Sequence, residues 1–168
     1  KFDWLITMDC DEQHEPAAIP RFVRAILQDQ SDIISGSRYM ELHPENDMPP
    51  VDRQAINRQI TSELNNALGL ELTDAFCGFK AYRVSALEEF NFDVNGYEFP
   101  LQLWVQAAVR KLSIEEIPVR LIYNDPTRTF GGPLDDPQER IDHYRAVLCR
   151  ELGRYASQLP AAMERVPC

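Results

Sequence analysis

The spacing of apolar residues changes character several times along the chain. Phe2 to Met8 ("FDWLITM") is an apolar-rich run of strand length, the pattern of a strand buried on both faces as in parallel sheets. After Pro16, Ile19, Phe22, Val23, Ile26 and Leu27 recur at helical spacing, with the proline where a helix can start. Asp32 to Ser35 predicts a second strand that runs into a glycine turn. Residues 40–50 ("MELHPENDMPP") hold three prolines and several acids and read as a surface loop. Val51 to Leu68 predicts a helix, with Val51, Ile56, Ile60, Leu64, Ala67 and Leu68 on one stripe and Gly69 past its end.

The second half continues the alternation. "AFCGFKAYRV" reads as a strand or bend broken by Gly78, and Tyr97 to Lys111 as a helix. "SIEEIPVRLIY" alternates like a strand, and "NDPTRTFGGPLDDP" is a 14-residue loop, long enough to suggest function. Ile141, Tyr144, Leu148, Leu152 and Tyr155 mark a last helix. Strands alternating with helices predict an α/β fold with a mixed sheet flanked by helices. With no repeat, low-complexity tract or linker, residues 1–168 read as a single domain with a core over 1–136 and a C-terminal helical segment over 137–168.

Composition narrows the function classes. Seventeen basic against 27 acidic residues give a formal charge of −10, which argues against nucleic-acid backbone binding as the main task. Cys10, Cys77, Cys149 and Cys168 form no CxxC pair and no zinc spacing, so they read as reduced, intracellular thiols and place the protein in the cytoplasm. No apolar run reaches membrane-spanning length.

The sharpest local signal is "DWLITMDCDEQHEP", an apolar strand that runs straight into carboxylates. Ligands collect beyond the carboxyl ends of strands in open α/β sheets, and Asp9 and Asp11 fall there. In an extended segment residues i and i+2 point the same way, so both carboxylates can face one hard cation, with Gln13 next in line. An EF-hand is excluded because position six is His14 and position twelve is Pro20. The competing reading is a solvated strand end whose acids favour a helix dipole. In that setting His14 reads as a solvated residue and Cys10 as a small apolar group turned into the core.

"MDCDEQHEP" resembles the D-x-D segment of family 2 glycosyltransferases with the GT-A fold, most closely the dolichyl- or polyprenyl-phosphate mannosyltransferase type. Further segments follow in that family's order: "SGSRY", Arg53 at the head of a helix, "TDAFCGFKAYR", "GYEFPLQL" and "IEEIPVRLIYNDPTRTFGG". The resemblance spans residues 3–132 and implies a Rossmann-like GT-A sheet lacking its N-terminal nucleotide-binding strands. The abrupt start within a strand fits a piece of a longer chain.

The resemblance implies inverting transfer of a sugar from a nucleotide-diphosphate sugar by single displacement. It implies Mg2+ or Mn2+ held by Asp9, Asp11 and Gln13. Arg38, Arg53 and Arg128 would face a phosphorylated acceptor or the diphosphate, each with ordinary surface arginine as its alternative. Asp74 would be the acceptor-side carboxylate. Asp74 or Glu98 could serve as general base toward a hydroxyl, although a glutamate in the first helical turn is also stabilised by position alone. Gly78 either lets an acceptor approach the backbone or makes the bend. Cys77 stands where the family has serine, and the long loop lacks the mannosyltransferases' lysine. The acceptor, a lipid phosphate or a saccharide, therefore stays open, as does the donor sugar. A lipid acceptor would bring the protein to the cytoplasmic membrane surface. Two other readings are a nucleotidyltransferase or pyrophosphorylase, and a catalytically silent assembly module whose open strand edge pairs with another copy.

Overall fold

The computed structural model describes residues 2–41, 45–125, 127 and 129–159; Arg128 lies outside them. The chain forms two compact units, one from residues 1–49, 76–90 and 112–126, the other from residues 50–75, 91–111 and 127–168.

The first unit carries the sheet. Its strands are β1 (Trp4–Thr7), β2 (Ile33–Ser37), β3 (Lys80–Arg83) and β4 (Ile114–Pro118), in the order β1-β3-β2-β4. β3 pairs antiparallel with both β1 and β2, while β2 and β4 are parallel. The sheet is therefore mixed, and the fold is the α/β class expected from the alternation. Helix α1 (Ile19–Gln28) follows a 3-10 turn at Pro16–Ala18, and the one-turn helix α3 (Val84–Leu87) follows β3 directly. Phe22 and Ala25 of α1 join Ile34, Cys77, Phe79, Ala81 and Val119 in a buried cluster, with Phe22 and Phe79 stacked at 4.3 Å. Val23 and Leu27 of the expected apolar stripe point outward.

β2 is buried throughout, but β1 is not the doubly buried strand that its composition predicts: Leu5 is 47% exposed. Among the described residues β1 stands at one end of the strand order and pairs with β3 alone, which an apolar run by itself does not disclose. The described part of the 40–50 loop is tied down. Asp47 accepts from the Tyr123 amide at 2.7 Å, Asn46 from the Leu121 amide at 3.0 Å, and the Glu45 carbonyl from Arg120 at 3.0 Å.

The second unit is helical. α2 (Val51–Leu68), α4 (Phe99–Val109) and α5 (Pro137–Arg154) pack pairwise on one another. Gly69 ends α2 in the left-handed conformation (φ 67°), and Asp136 caps α5 by accepting from the Gln138 and Glu139 amides. Ile60, Leu64, Leu101, Leu103, Trp104 and Leu148 are fully or almost fully buried, whereas Val51, assigned to the α2 stripe, is exposed. Arg145 grips Glu63 with both its Nε and Nη2 groups, joining α5 to α2. Glu151 is enclosed and accepts from Gln102 at 3.0 Å and Gln106 at 2.9 Å, joining α5 to α4. Cys10 and Cys77 form no disulfide, but Cys149 is disulfide-bonded, which corrects the reading of four reduced cysteines. Spacing along the sequence does not report which distant thiols meet.

Candidate active site

In the first unit, strand direction sets the site. β1 and β2 both run opposite to β3, so the carboxyl ends of β1 and β2 and the start of β3 share one edge of the sheet. Asp9 and Asp11 follow β1, Arg38 follows β2, and Gly78 precedes β3. Thr7 donates its hydroxyl to the Gly78 carbonyl at 3.0 Å, which locks the two chain segments together.

Gly78 is used for close approach. A Cβ placed there would lie 2.6 Å from Asp9 Cγ, with the carboxylate oxygens nearer still. The Asp9 carboxylate thus rests on the Gly78 backbone while 56% of its side chain stays exposed. Asp11 accepts from the Gln13 amide at 3.1 Å, an Asx turn that closes the acidic loop. Glu12 takes a positive φ of 62° within it. The loop is therefore bent rather than extended, so alternation along a strand does not orient the two carboxylates. The bend also leaves Cys10 exposed instead of in the core.

His14 organises this loop and is buried, contrary to its reading as a solvated residue. Its Nδ1 accepts from the Asp9 amide at 3.1 Å, and its ring lies 5.4 Å from that of Phe79. Nε2 is 3.9 Å from both Asp9 Oδ2 and Cys77 Sγ. Burial pushes the His14 pKa down, outweighing the nearby carboxylates of Asp9 and Asp11; Arg38 and Lys80 push the same way as burial. The ring is a neutral imidazole with its accepting nitrogen already used. A histidine five residues past the first acid was the available sequence signal, and its polarity hid its burial. Beneath the loop, Lys80 is almost fully buried and its ammonium donates to the Cys77 carbonyl.

The remaining expected residues belong to the second unit. Asp74 is fully buried and accepts from Asn57 Nδ2 at 2.9 Å. Thr61 donates to Asn57 Oδ1 at 3.2 Å and accepts from the Ala75 amide at 3.2 Å. Trp104 Nε1 donates to the Ala75 carbonyl at 2.8 Å. Asn57 and Thr61 sit among the apolar positions of α2, one and five residues after Ile56, and were the missed signal. Glu98 stands at the N-cap of α4, just before the first turn where it was expected, and makes no capping bond. Its carboxylate lies 3.5 Å from His143 Nε2, and its side chain is 15% exposed. Arg53, in the first turn of α2 as expected, lies over the Phe130 ring at 4.6 Å. Burial raises the Tyr144 pKa to about 12, reinforced by Glu98 and opposed by Arg140.

The donor set at the sheet edge fits a hard divalent cation: two carboxylates and an amide, all oxygen ligands. Gly78 provides the recess in which the first of them sits. Among the described residues, no group of three or more His, Cys, Asp or Glu side chains is gathered to hold a metal. Such a cation would draw further ligands from outside the carboxylate set, as magnesium commonly does from waters and substrate phosphates. Among the described residues, no helix is long and apolar enough to cross a membrane.

The profile described as "Glycosyl transferase family 2" matches residues 1–90. An undecaprenyl-phosphate mannosyltransferase of Micrococcus luteus is 30% identical over 78% of this chain and 55% of its own length. A UDP-N-acetylglucosamine–dolichyl-phosphate N-acetylglucosaminyltransferase of Methanococcus voltae is 27% identical over 77% of this chain and 52% of its own. A polyprenol monophosphomannose synthase of Mycolicibacterium smegmatis is 28% identical over 70% of this chain and 48% of its own. The chain spans about half the length of these curated relatives.

Proposed function

The chain belongs to glycosyl transferase family 2, and from that premise we propose that the protein transfers a hexosyl group from a nucleotide-diphosphate sugar to a polyprenyl phosphate. The observation that carries this reading is the Asp9 carboxylate seated on Gly78 at the carboxyl edge of the sheet, within a family-matched segment. The names of the relatives, which include both mannosyl and N-acetylglucosaminyl transferases to lipid phosphates, support the acceptor class and leave the sugar open.

Asp9 and Asp11, with the Gln13 carboxamide, would hold Mg2+ or Mn2+. When bound, the cation would neutralise charge on the leaving diphosphate. His14 acts by holding the loop: its bond to the Asp9 amide fixes the backbone from which the first carboxylate projects. Arg38, Arg53 and Arg128 supply permanently charged donors for phosphate oxygens. A phosphate oxygen of the acceptor would attack the anomeric carbon while the bond from that carbon to the diphosphate oxygen breaks. The electron pair leaves with the diphosphate, and the configuration inverts in this single displacement.

A phosphate nucleophile is already anionic and needs no base. Asp74 fits that economy, since its enclosed carboxylate is held by Asn57 and supports an anchoring role better than proton transfer. Glu98, beside His143, is the candidate base were the acceptor a hydroxyl. The lipid acceptor would bring the protein to a membrane surface.

The test is transfer of labelled sugar from GDP-mannose and from UDP-N-acetylglucosamine to polyprenyl phosphate, in Mn2+ or Mg2+. Product from one donor, lost in Asp9→Asn, supports the proposal. Labelled product formed only on a free saccharide, or equal activity in Asp9→Asn, sinks it.

A further inference from the structure

Four side chains of the helical unit close a ring that the reading above does not use. Asp52 and Arg53 are neighbours in the first turn of α2. Asp52 accepts from Arg140 Nη2 at 2.7 Å. Arg140 lies over the Phe130 ring at 4.4 Å, and Arg53 lies over the same ring at 4.6 Å. Tyr97 meets Phe130 edge-on at 4.9 Å, so the ring is itself held in place.

The two arginines are not equivalent. Arg140 is 2% exposed and paired with a carboxylate, and its Nε is buried without a hydrogen-bond partner among the described residues. An arginine so enclosed, leaving a donor unmet, is held for where its plane lies. Arg53 is only half-buried, on a helix end, and its guanidinium carbon lies over an aromatic face. A flexible side chain that must present a guanidinium to a phosphate loses rotamer freedom on binding, and a ring that already holds its plane reduces that loss.

We propose that Phe130 and Arg140 are positioning residues for Arg53: Arg140, fixed by Asp52, holds the Phe130 ring, and the ring holds the Arg53 guanidinium ready for a phosphate monoester. This rests on the reading of Arg53 as an acceptor-phosphate ligand. The platform would act through Arg53 alone, so its contribution must vanish when Arg53 is gone.

The experiment is a double-mutant cycle read by calorimetric binding of farnesyl monophosphate to the protein, with thermal denaturation of each variant alongside. Phe130→Leu should weaken binding about 2- to 30-fold, the span of a cation–π contact. Arg140→Lys, which keeps the charge beside Asp52 but not the guanidinium over the ring, should weaken it in the same direction, and Phe130→Tyr should bind like the parent. In an Arg53→Ala background, both Phe130→Leu and Arg140→Lys should have no further effect. Equal losses in the presence and absence of Arg53 overturn the positioning role alone. So does a lowered melting temperature with unchanged affinity. Unchanged affinity in Arg53→Ala itself overturns both the phosphate reading of Arg53 and the inference built on it.

Discussion

The carboxylate of Asp9 occupies the volume that any side chain at residue 78 would need. That one relationship joins two segments distant in sequence, the acidic loop after β1 and the bend before β3, and makes glycine a requirement of the acidic site. Gly78→Ala should therefore fold, because the displaced group is a half-exposed side chain, yet shift the carboxylate. Manganese affinity should fall about 10- to 100-fold, as for other groups that set the position of a metal ligand. Calorimetry alongside far-ultraviolet circular dichroism separates this from misfolding; an alanine variant with parental affinity would remove Gly78 from the site.

His14→Ala removes the acceptor of the Asp9 amide and opens space beside Phe79. The expected loss is about 2 to 4 kcal/mol, combining the lost hydrogen bond at the part-buried Asp9 amide and a cavity. Urea denaturation measures it. A surface histidine would cost almost nothing, so a null result would contradict the buried role.

Glu63 predicts a pH dependence. Burial alone would raise its pKa, but the hydrogen bonds from Arg145 and Gln59 hold it below the ordinary 4.5. The folded state then binds the proton more weakly than the unfolded chain. The stabilisation is complete above the unfolded value and is lost as pH falls through the depressed folded one. Glu63→Gln should be less stable than the parent near pH 7, and the gap should narrow on acidification below pH 4.5. Denaturation curves at several pH values check this, and a gap that widens in acid would contradict it.

Glu151 receives two amide donors inside the helical unit. Glu151→Gln turns one acceptor into a donor and leaves a glutamine N–H facing another. A loss of about 1 to 3 kcal/mol is expected, with the melting temperature as readout. An unchanged melting temperature in Glu151→Gln would contradict this role of the two amide bonds.

The sequence disclosed most where one periodicity or one motif suffices. α2 follows from its apolar stripe and Gly69, and α5 from its apolar stripe, which does not itself signal the Asp136 cap. The mixed sheet follows from alternation of elements. Asp9, Asp11 and Arg38 are placed at strand ends by topology alone. What stayed hidden depends on which side of an element is covered. β1 reads as a central strand because apolar content does not report neighbours, and its Leu5 is exposed. His14 and Asn57 look like surface residues until the partners that satisfy them, the Asp9 amide and Asp74, arrive from elsewhere in the chain. The Gly78–Asp9 contact is likewise illegible, because 69 residues of separation fold to nothing until β1 and β3 pair.

The most direct test of the central claim is a calorimetric titration of the protein with manganese, in parental form and as Asp9→Ala with Asp11→Ala, each with and without GDP or UDP. The account predicts saturable binding that one nucleotide strengthens and the double substitution abolishes. Equal binding in both proteins, or none in either, would show that the acidic loop is a solvated strand end and not a metal site.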